Sequence, residues 1–194
     1  VLAAAVLLPG CAWFSEHARA LALRPTPGRP AEFAPGSDAE HLNFRPGDRR
    51  YTVPAGDAQQ LALWWLPHAN PQAPTLLYLH GTFRNLYQNL SKINALREAG
   101  FAVLAVDYRG WGESAAIVPS ETSIDADEGV AWAELVRRQP TPQRRVIFGH
   151  SMGGAVAVTL ASTLHGGRDY AALVLESTFT RMPDVAAAAG FWGR

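Results

Sequence analysis

The chain has 194 residues, enough for one well-buried core and few for two. Its 17 basic residues balance 17 acidic ones, so charge gives no reason to expect nucleic acid or an anionic surface as partner. The hydrophobic fraction of 48% is that of a folded domain, and no apolar run reaches the roughly 18 residues of a spanning helix. The single cysteine excludes an intrachain disulfide framework and a cysteine-based metal site.

The run from Val1 to Cys11 (VLAAAVLLPGC) reads as the apolar core of a secretory signal. Leu8-Pro9-Gly10-Cys11 resembles the box of a bacterial lipoprotein signal, in which the cysteine is lipidated, although proline is less usual at its second position. Acyl chains on Cys11 would anchor the protein at a bacterial cell envelope, each buried methylene contributing about 0.8 kcal/mol. The alternatives are a plain signal peptide or an apolar segment with an incidental cysteine. Starting at Val1, without Met or a basic region, this end is expected to be clipped.

Ala12 to Leu23 looks helical. Arg24 to Gly47 carries Pro25, Pro27, Pro30, Pro35 and Pro46, a composition expected of a semi-extended tether, or of coil ordered on the domain surface. The division expected is therefore a signal segment over 1–11, a tether over 12–47 and a folded domain from 48.

In that domain Tyr51–Val53 and Leu61–Leu66 read as strands joined by a turn at Gly56 and Asp57. Thr75–Leu79 is a continuous apolar strand ending in His80 and Gly81. Asn89–Ala99 has helical spacing and stops at Gly100. A buried-type strand follows at Phe101–Val106. Ile124–Arg138 reads as a helix with Asp125, Asp127 and Glu128 in its first turn and Arg137 and Arg138 in its last, matching the helix dipole. Then come a strand at Arg145–Phe148, a helix at Ala155–Leu164 and a strand at Ala171–Glu176. Strands apolar on both faces, alternating with helices, predict an α/β fold with a mostly parallel sheet covered on both sides. Chemistry in such sheets sits at the rim formed by the C-terminal strand ends.

Gly149-His150-Ser151-Met152-Gly153-Gly154 lies at that rim, between a strand and a helix. Gly149 and Gly153 give clearance for a very tight turn, which would hold Ser151 strained and project its hydroxyl as a nucleophile. The bland reading is a glycine-rich turn with an idle serine. A tetrahedral acyl intermediate needs preorganised donors, and losing one typically costs about 100- to 1,000-fold in rate. In such elbows one donor is the amide after the nucleophile, here Met152, and the other comes from the loop after an earlier strand. Thr82 is the candidate there, with Phe83 the alternative. His80 is expected to orient this loop with Gly81 rather than to act as base.

These motifs together resemble the α/β-hydrolase superfamily, in particular the Bem46-like and ABHD13- or ABHD17-type serine hydrolases. The matching segments are Gly56 to Pro67, His80-Gly81, Asp107-Tyr108-Arg109-Gly110-Trp111-Gly112-Glu113-Ser114, the elbow, and Leu175 to Thr180. They cover about residues 48 to 182 and imply an α/β-hydrolase fold. The resemblance makes Asp107 to Ser114 structural, with Asp107 and Arg109 pairing or capping nearby backbone. Glu176 ends the last strand at the rim and stands as a candidate acid, otherwise as a loop anchor.

A serine needs a histidine to accept its proton and an acid to orient that histidine. In this fold the chain order is serine, acid, histidine. After His150 only His165 follows, at the far end of a helix; His17, His41 and His68 precede the core. Family members continue past the Leu-Glu-Ser segment with a cap and two more strands, and Pro183 to Arg194 looks like the opening of that cap. The expectation is a C-terminally truncated hydrolase domain over 48–194, inactive alone. Its whole-protein function would be hydrolysis of an ester, thioester or amide through an acyl-enzyme on Ser151. The rivals are an acyltransferase and a non-catalytic lipid-tethered binding protein. Asp chemistry of the dehalogenase kind is disfavoured by Ser151. No metal or organic cofactor is implied, and the expected partner is a small-molecule or acyl substrate.

Overall fold

Residues 9–56 and 58–178 are described by the computed structural model, with side chains from residue 15 onward. The apolar run before Pro9, the Cys11 side chain, Phe179, Thr180 and the segment from Pro183 to Arg194 lie outside the described residues. Six strands, β1 (Arg49–Pro54), β2 (Gln60–Leu66), β3 (Thr75–Leu79), β4 (Ala102–Asp107), β5 (Arg145–His150) and β6 (Ala172–Glu176), form one sheet in the order β1-β2-β4-β3-β5-β6. β1, β2 and β4 pair antiparallel; β4, β3, β5 and β6 pair parallel. The helices are α1 (Pro9–Leu23), α2 (Asp38–Asn43), α3 (Leu90–Glu98), α4 (Glu121–Arg138) and α5 (Met152–Ser162).

The central strands are apolar throughout because both faces are covered. Their two-residue period divides the core. Leu61, Leu63, Leu77, Leu79, Leu104, Val106 and Ile147 face α4 and α5, packing on Ala131, Leu135, Val156 and Leu160. Trp64, Leu76, Tyr78, Val103, Ala105 and Phe148 face the other way, onto Leu90 and Ile93 of α3. The chain thus leaves β3 for α3 on one face and leaves β5 for α5 on the other. Where neighbouring strands exit to opposite faces a crevice opens between their ends, which is where open α/β sheets bind ligands.

α4 begins at Glu121, not Ile124, because Ser120 and Ser123 form a reciprocal capping box. Asp125, Asp127 and Glu128 therefore sit beyond the first turn, and Asp127 and Glu128 are buried rather than dipole-facing surface acids. α5 begins at Met152, directly after Ser151.

Residues 24–47 are not a free tether; the surface-ordered alternative describes them. Gly112 N donates to Thr26 O at 2.9 Å and Gly28 N to Gly112 O at 2.6 Å. Arg29 pairs with Glu113 at 2.7 Å, and Glu40 with Arg50. Phe33 and Phe44 pack against Tyr87 and Trp64 with ring centroids 5.2 and 5.1 Å apart. Just beyond, Arg97 of α3 holds Asp48 through both terminal nitrogens, at 3.1 and 2.7 Å. Five prolines lower the entropy of the unfolded strap, so a few such contacts order it.

At the sheet edge Glu134 fastens α4 to β1, accepting from Tyr51 Oη at 2.5 Å, Arg138 Nε at 2.7 Å and Arg137 Nε at 2.8 Å. Burial opposes its ionisation, but the bonds from Arg137, Tyr51 and Arg138 together outweigh it and hold the carboxyl at about 2. The folded value lies below the unfolded one, so this stabilisation is complete above about pH 4.5 and fades as pH falls towards 2. Glu134→Gln should lose about 2 kcal/mol at neutral pH. Urea unfolding across pH 2 to 7 should show a correspondingly shallower acid limb in the variant.

Candidate active site

β5 ends at His150 and α5 starts at Met152, so Ser151 alone turns the chain. Its backbone sits at φ 55°, ψ −120°, a conformation costing an L-residue on the order of 1–3 kcal/mol. Three bonds hold it there. Ser151 N donates to Glu176 O at 2.9 Å, and Ser151 O accepts from Gly154 N at 2.9 Å and from Thr178 Oγ1 at 2.8 Å. The glycines are required by close approach. A β-carbon at Gly149 would collide with the Gly153 carbonyl, one at Gly153 with the Leu79 carbonyl at the end of β3, and one at Gly154 with Thr178.

On the β3 side, Gly81 lies against Ser151: a β-carbon there would stand 2.9 Å from Ser151 Cβ and 3.4 Å from Oγ. The His80 ring is fully buried, with Nδ1 2.6 Å from Gly81 O. A carbonyl only accepts, so Nδ1 carries the proton. Across a trans peptide the next N–H points opposite to the carbonyl. Tying Gly81 O to His80 therefore turns the Thr82 amide outward from His80. Met152 is the first residue of α5, where the amide has no intrahelical acceptor and the dipole favours negative charge. The elbow and loop expected from sequence thus come together around one hydroxyl. Phe83, the alternative donor, is half-exposed with φ 71°, beneath the Arg24 guanidinium at 4.8 Å.

Beside the elbow stands a group that sequence reading missed. Lys92 of α3, the sole lysine, approaches His150 Nδ1 at 3.1 Å and pairs with Glu176, whose carboxylate is also 3.1 Å from His150 Nδ1. The Lys92 hydrogen bond holds Glu176 below the usual carboxylate range, while burial and Lys92 push His150 below the ordinary histidine value. The candidate acid Glu176 is thus at the rim and engaged by Lys92 and His150. One lysine among 16 arginines was the available signal.

Among the described residues no histidine hydrogen-bonds Ser151 Oγ. His68 accepts from Asn70 N in the turn after β2, and His165 sits in an exposed turn with Arg168 and Asp169. Asp107 caps Leu86 N at 2.9 Å, as a backbone-capping role predicts. Arg109 pairs instead with the buried Asp127, at 2.7 Å. Burial raises Asp127 in spite of that cation, and burial with the Asp125 charge pushes Glu128 up to about 8.

The family described as Serine aminopeptidase, S33 matches residues 70–193. An uncharacterized Mycobacterium tuberculosis protein is 35% identical over 144 residues, covering 73% of this chain and 50% of that protein. Danio rerio lysophosphatidylserine lipase ABHD12 is 34% identical over 143 residues, covering 70% and 37%. Schizosaccharomyces pombe Bem46 is 34% identical over 114 residues, covering 58% and 37%. The chain spans half or less of the length of these relatives. Among solved structures, a Pyrococcus furiosus esterase superposes with TM-score 0.64 at 20% identity, covering 87% of this chain and 61% of that one. A thermostable Bacillus coagulans carboxyl esterase does so with TM-score 0.60 at 22% identity, covering 74% and 48%. At these identities the likeness establishes the α/β-hydrolase fold.

The crowding at Gly153 sets a quantitative expectation. Gly153→Ala should lower unfolding free energy by about 3 kcal/mol or more, because rigid backbone must move. Gly129→Ala, in open space on α4, should instead gain about 0.5–1 kcal/mol from helix propensity alone. Paired denaturant curves check both signs.

Proposed function

The chain belongs to the serine aminopeptidase S33 family of α/β-hydrolases, and from that premise we propose that it is a serine hydrolase working through an acyl-enzyme on Ser151. The observation that carries this is the strained Ser151 turn with Gly81 packed on it and the Met152 amide beside it. The Ser151 oxygen attacks a carbonyl carbon while a histidine takes its proton. The oxyanion is met by the amides of Met152 and Thr82. Collapse of the intermediate expels the alcohol, thiol or amine, which leaves with that proton, and water then releases the acid. Esters are the favoured substrates, since a lysophosphatidylserine lipase and two esterases are among the similar proteins.

The base and its acid are assigned to segments beyond residue 194, in the chain order serine, acid, histidine. Two features support this: no histidine bonds Ser151 among the described residues, and β6 leaves Val174 and Leu175 about 40% exposed, an apolar edge that further strands would cover. Attachment of the protein to a bacterial envelope through lipidated Cys11 is part of the same reading; among the described residues no helix is long and apolar enough to cross a membrane.

The 194-residue chain alone should turn over activated esters on the order of a million-fold more slowly than a longer product carrying that base and acid. In that longer product a fluorophosphonate probe should label Ser151 and fail on Ser151→Ala. Strong Ser151-dependent labelling of the 194-residue chain would place the base within it. An uninterrupted gene without a later histidine, with function unchanged in Ser151→Ala, would mark a binding protein.

For the anchor, cells fed a radiolabelled fatty acid should label the wild type and not Cys11→Ala. Labelling that survives the substitution would remove Cys11 from the reading.

A further inference from the structure

Beneath the oxyanion loop lies a polar pair that the proposed chemistry does not touch. His80 and Asp107 are both fully buried, the first at the end of β3 and the second at the end of the adjacent β4. His80 Nε2 is 3.4 Å from Asp107 Oδ1. Each group carries a buried atom with no hydrogen-bond partner among the described residues, His80 Nε2 and Asp107 Oδ2. The imidazole cannot turn away, since Tyr108 and Trp111 box it at centroid distances of 4.7 and 5.6 Å. Nor can the carboxyl retreat: Leu86 N donates to Oδ1 at 2.9 Å, and Gly112 lies so close to Oδ2 that no β-carbon fits between them.

We propose that Asp107 is a positioning residue for the oxyanion hole, sharing one proton with His80 Nε2 so that the buried ring keeps the seat from which its Nδ1–H holds Gly81 O and aims the Thr82 amide. The reasoning runs through the proton count. Nδ1 faces a carbonyl, so its hydrogen is committed to Gly81 O. Nε2 then needs a donor if it is bare, or an acceptor if it is protonated. A carboxyl supplies either, as a neutral acid donating to a neutral ring or as a carboxylate accepting from an imidazolium. In both arrangements the pair is uncharged overall, which is what a dry interior tolerates. Burial pushes His80 down to about 4 and Asp107 up to about 8, placing the proton on the carboxyl. Without Asp107 a bare Nε2 would be buried unpaired, and water drawn into the vacated space to pair it would loosen the ring's hold on Gly81 O.

This rests on the serine-hydrolase reading for its catalytic meaning, but its first test does not. In the 194-residue chain, nitrogen NMR of labelled histidine should show His80 Nδ1 as a protonated, pyrrole-type nitrogen from pH 5 to 7.5. A bare Nδ1 would overturn the proposal without any variant. Asp107→Ala should keep Nδ1 protonated but move the His80 Nε2 resonance, as that nitrogen loses the carboxyl proton it accepts. In a longer gene product with the triad complete, Asp107→Ala should lower kcat about 100-fold, the loss of one oxyanion donor, with KM within about threefold. Equal kcat in folded Ala and wild-type enzymes, or an unchanged Nε2 signal in Ala, overturns the proposal. If neither enzyme depends on Ser151, the serine-hydrolase reading fails and the Nε2 result still stands or falls by itself.

Discussion

The structure turns on one close approach, the backbone of Gly153 against the carbonyl end of β3 at Leu79, with no space for a side-chain atom between them. α5 can start immediately after Ser151 only because its first turn is laid on the strand next door. That contact forces the serine into its strained conformation and presses Gly81, two residues beyond Leu79, onto the serine side chain. Strand order makes the approach possible. β3 and β5 are parallel neighbours whose chains leave to opposite faces, so their ends are free to meet at the rim.

Strain of a few kcal/mol at one residue persists only when its surroundings over-determine it. Here they do so from three directions: Glu176 receives the Ser151 amide, Thr178 caps its carbonyl, and the glycines admit the helix. Lys92 and His150 secure Glu176 in turn. The rim is thus a lattice of backbone contacts decorated by a small charged cluster, with Ser151 partly exposed.

The oxyanion loop is supported differently, from beneath and from outside. Beneath it, His80 and Asp107 replace apolar packing with a neutral polar pair. Outside, the proline-rich strap reaches it through Asn85, whose Nδ2 donates to Thr26 O and Gly28 O, both at 3.1 Å. The same strap closes on Gly112 and pairs with Glu113, in the segment that holds Asp107. A segment with the composition of a linker is thereby part of the scaffold of the site.

What the sequence determined by itself was whatever local pattern dictates. Continuous apolar runs at Thr75–Leu79 and Arg145–Phe148 specify buried parallel strands, and glycines flanking Ser151 specify an elbow, because strand periodicity and backbone clearance are short-range properties. The order of the motifs likewise anticipated the loop at Gly81 lying against Ser151. Tertiary structure alone decided the rest. It recruited Lys92 from α3, gave Arg109 the buried Asp127 rather than Asp107, started α4 three residues early through Ser120 and Ser123, and drew the strap down onto Tyr87 and Trp64. Those outcomes depend on partners tens of residues away, and charge pairing or aromatic packing at that separation leaves no period or spacing in the chain to read.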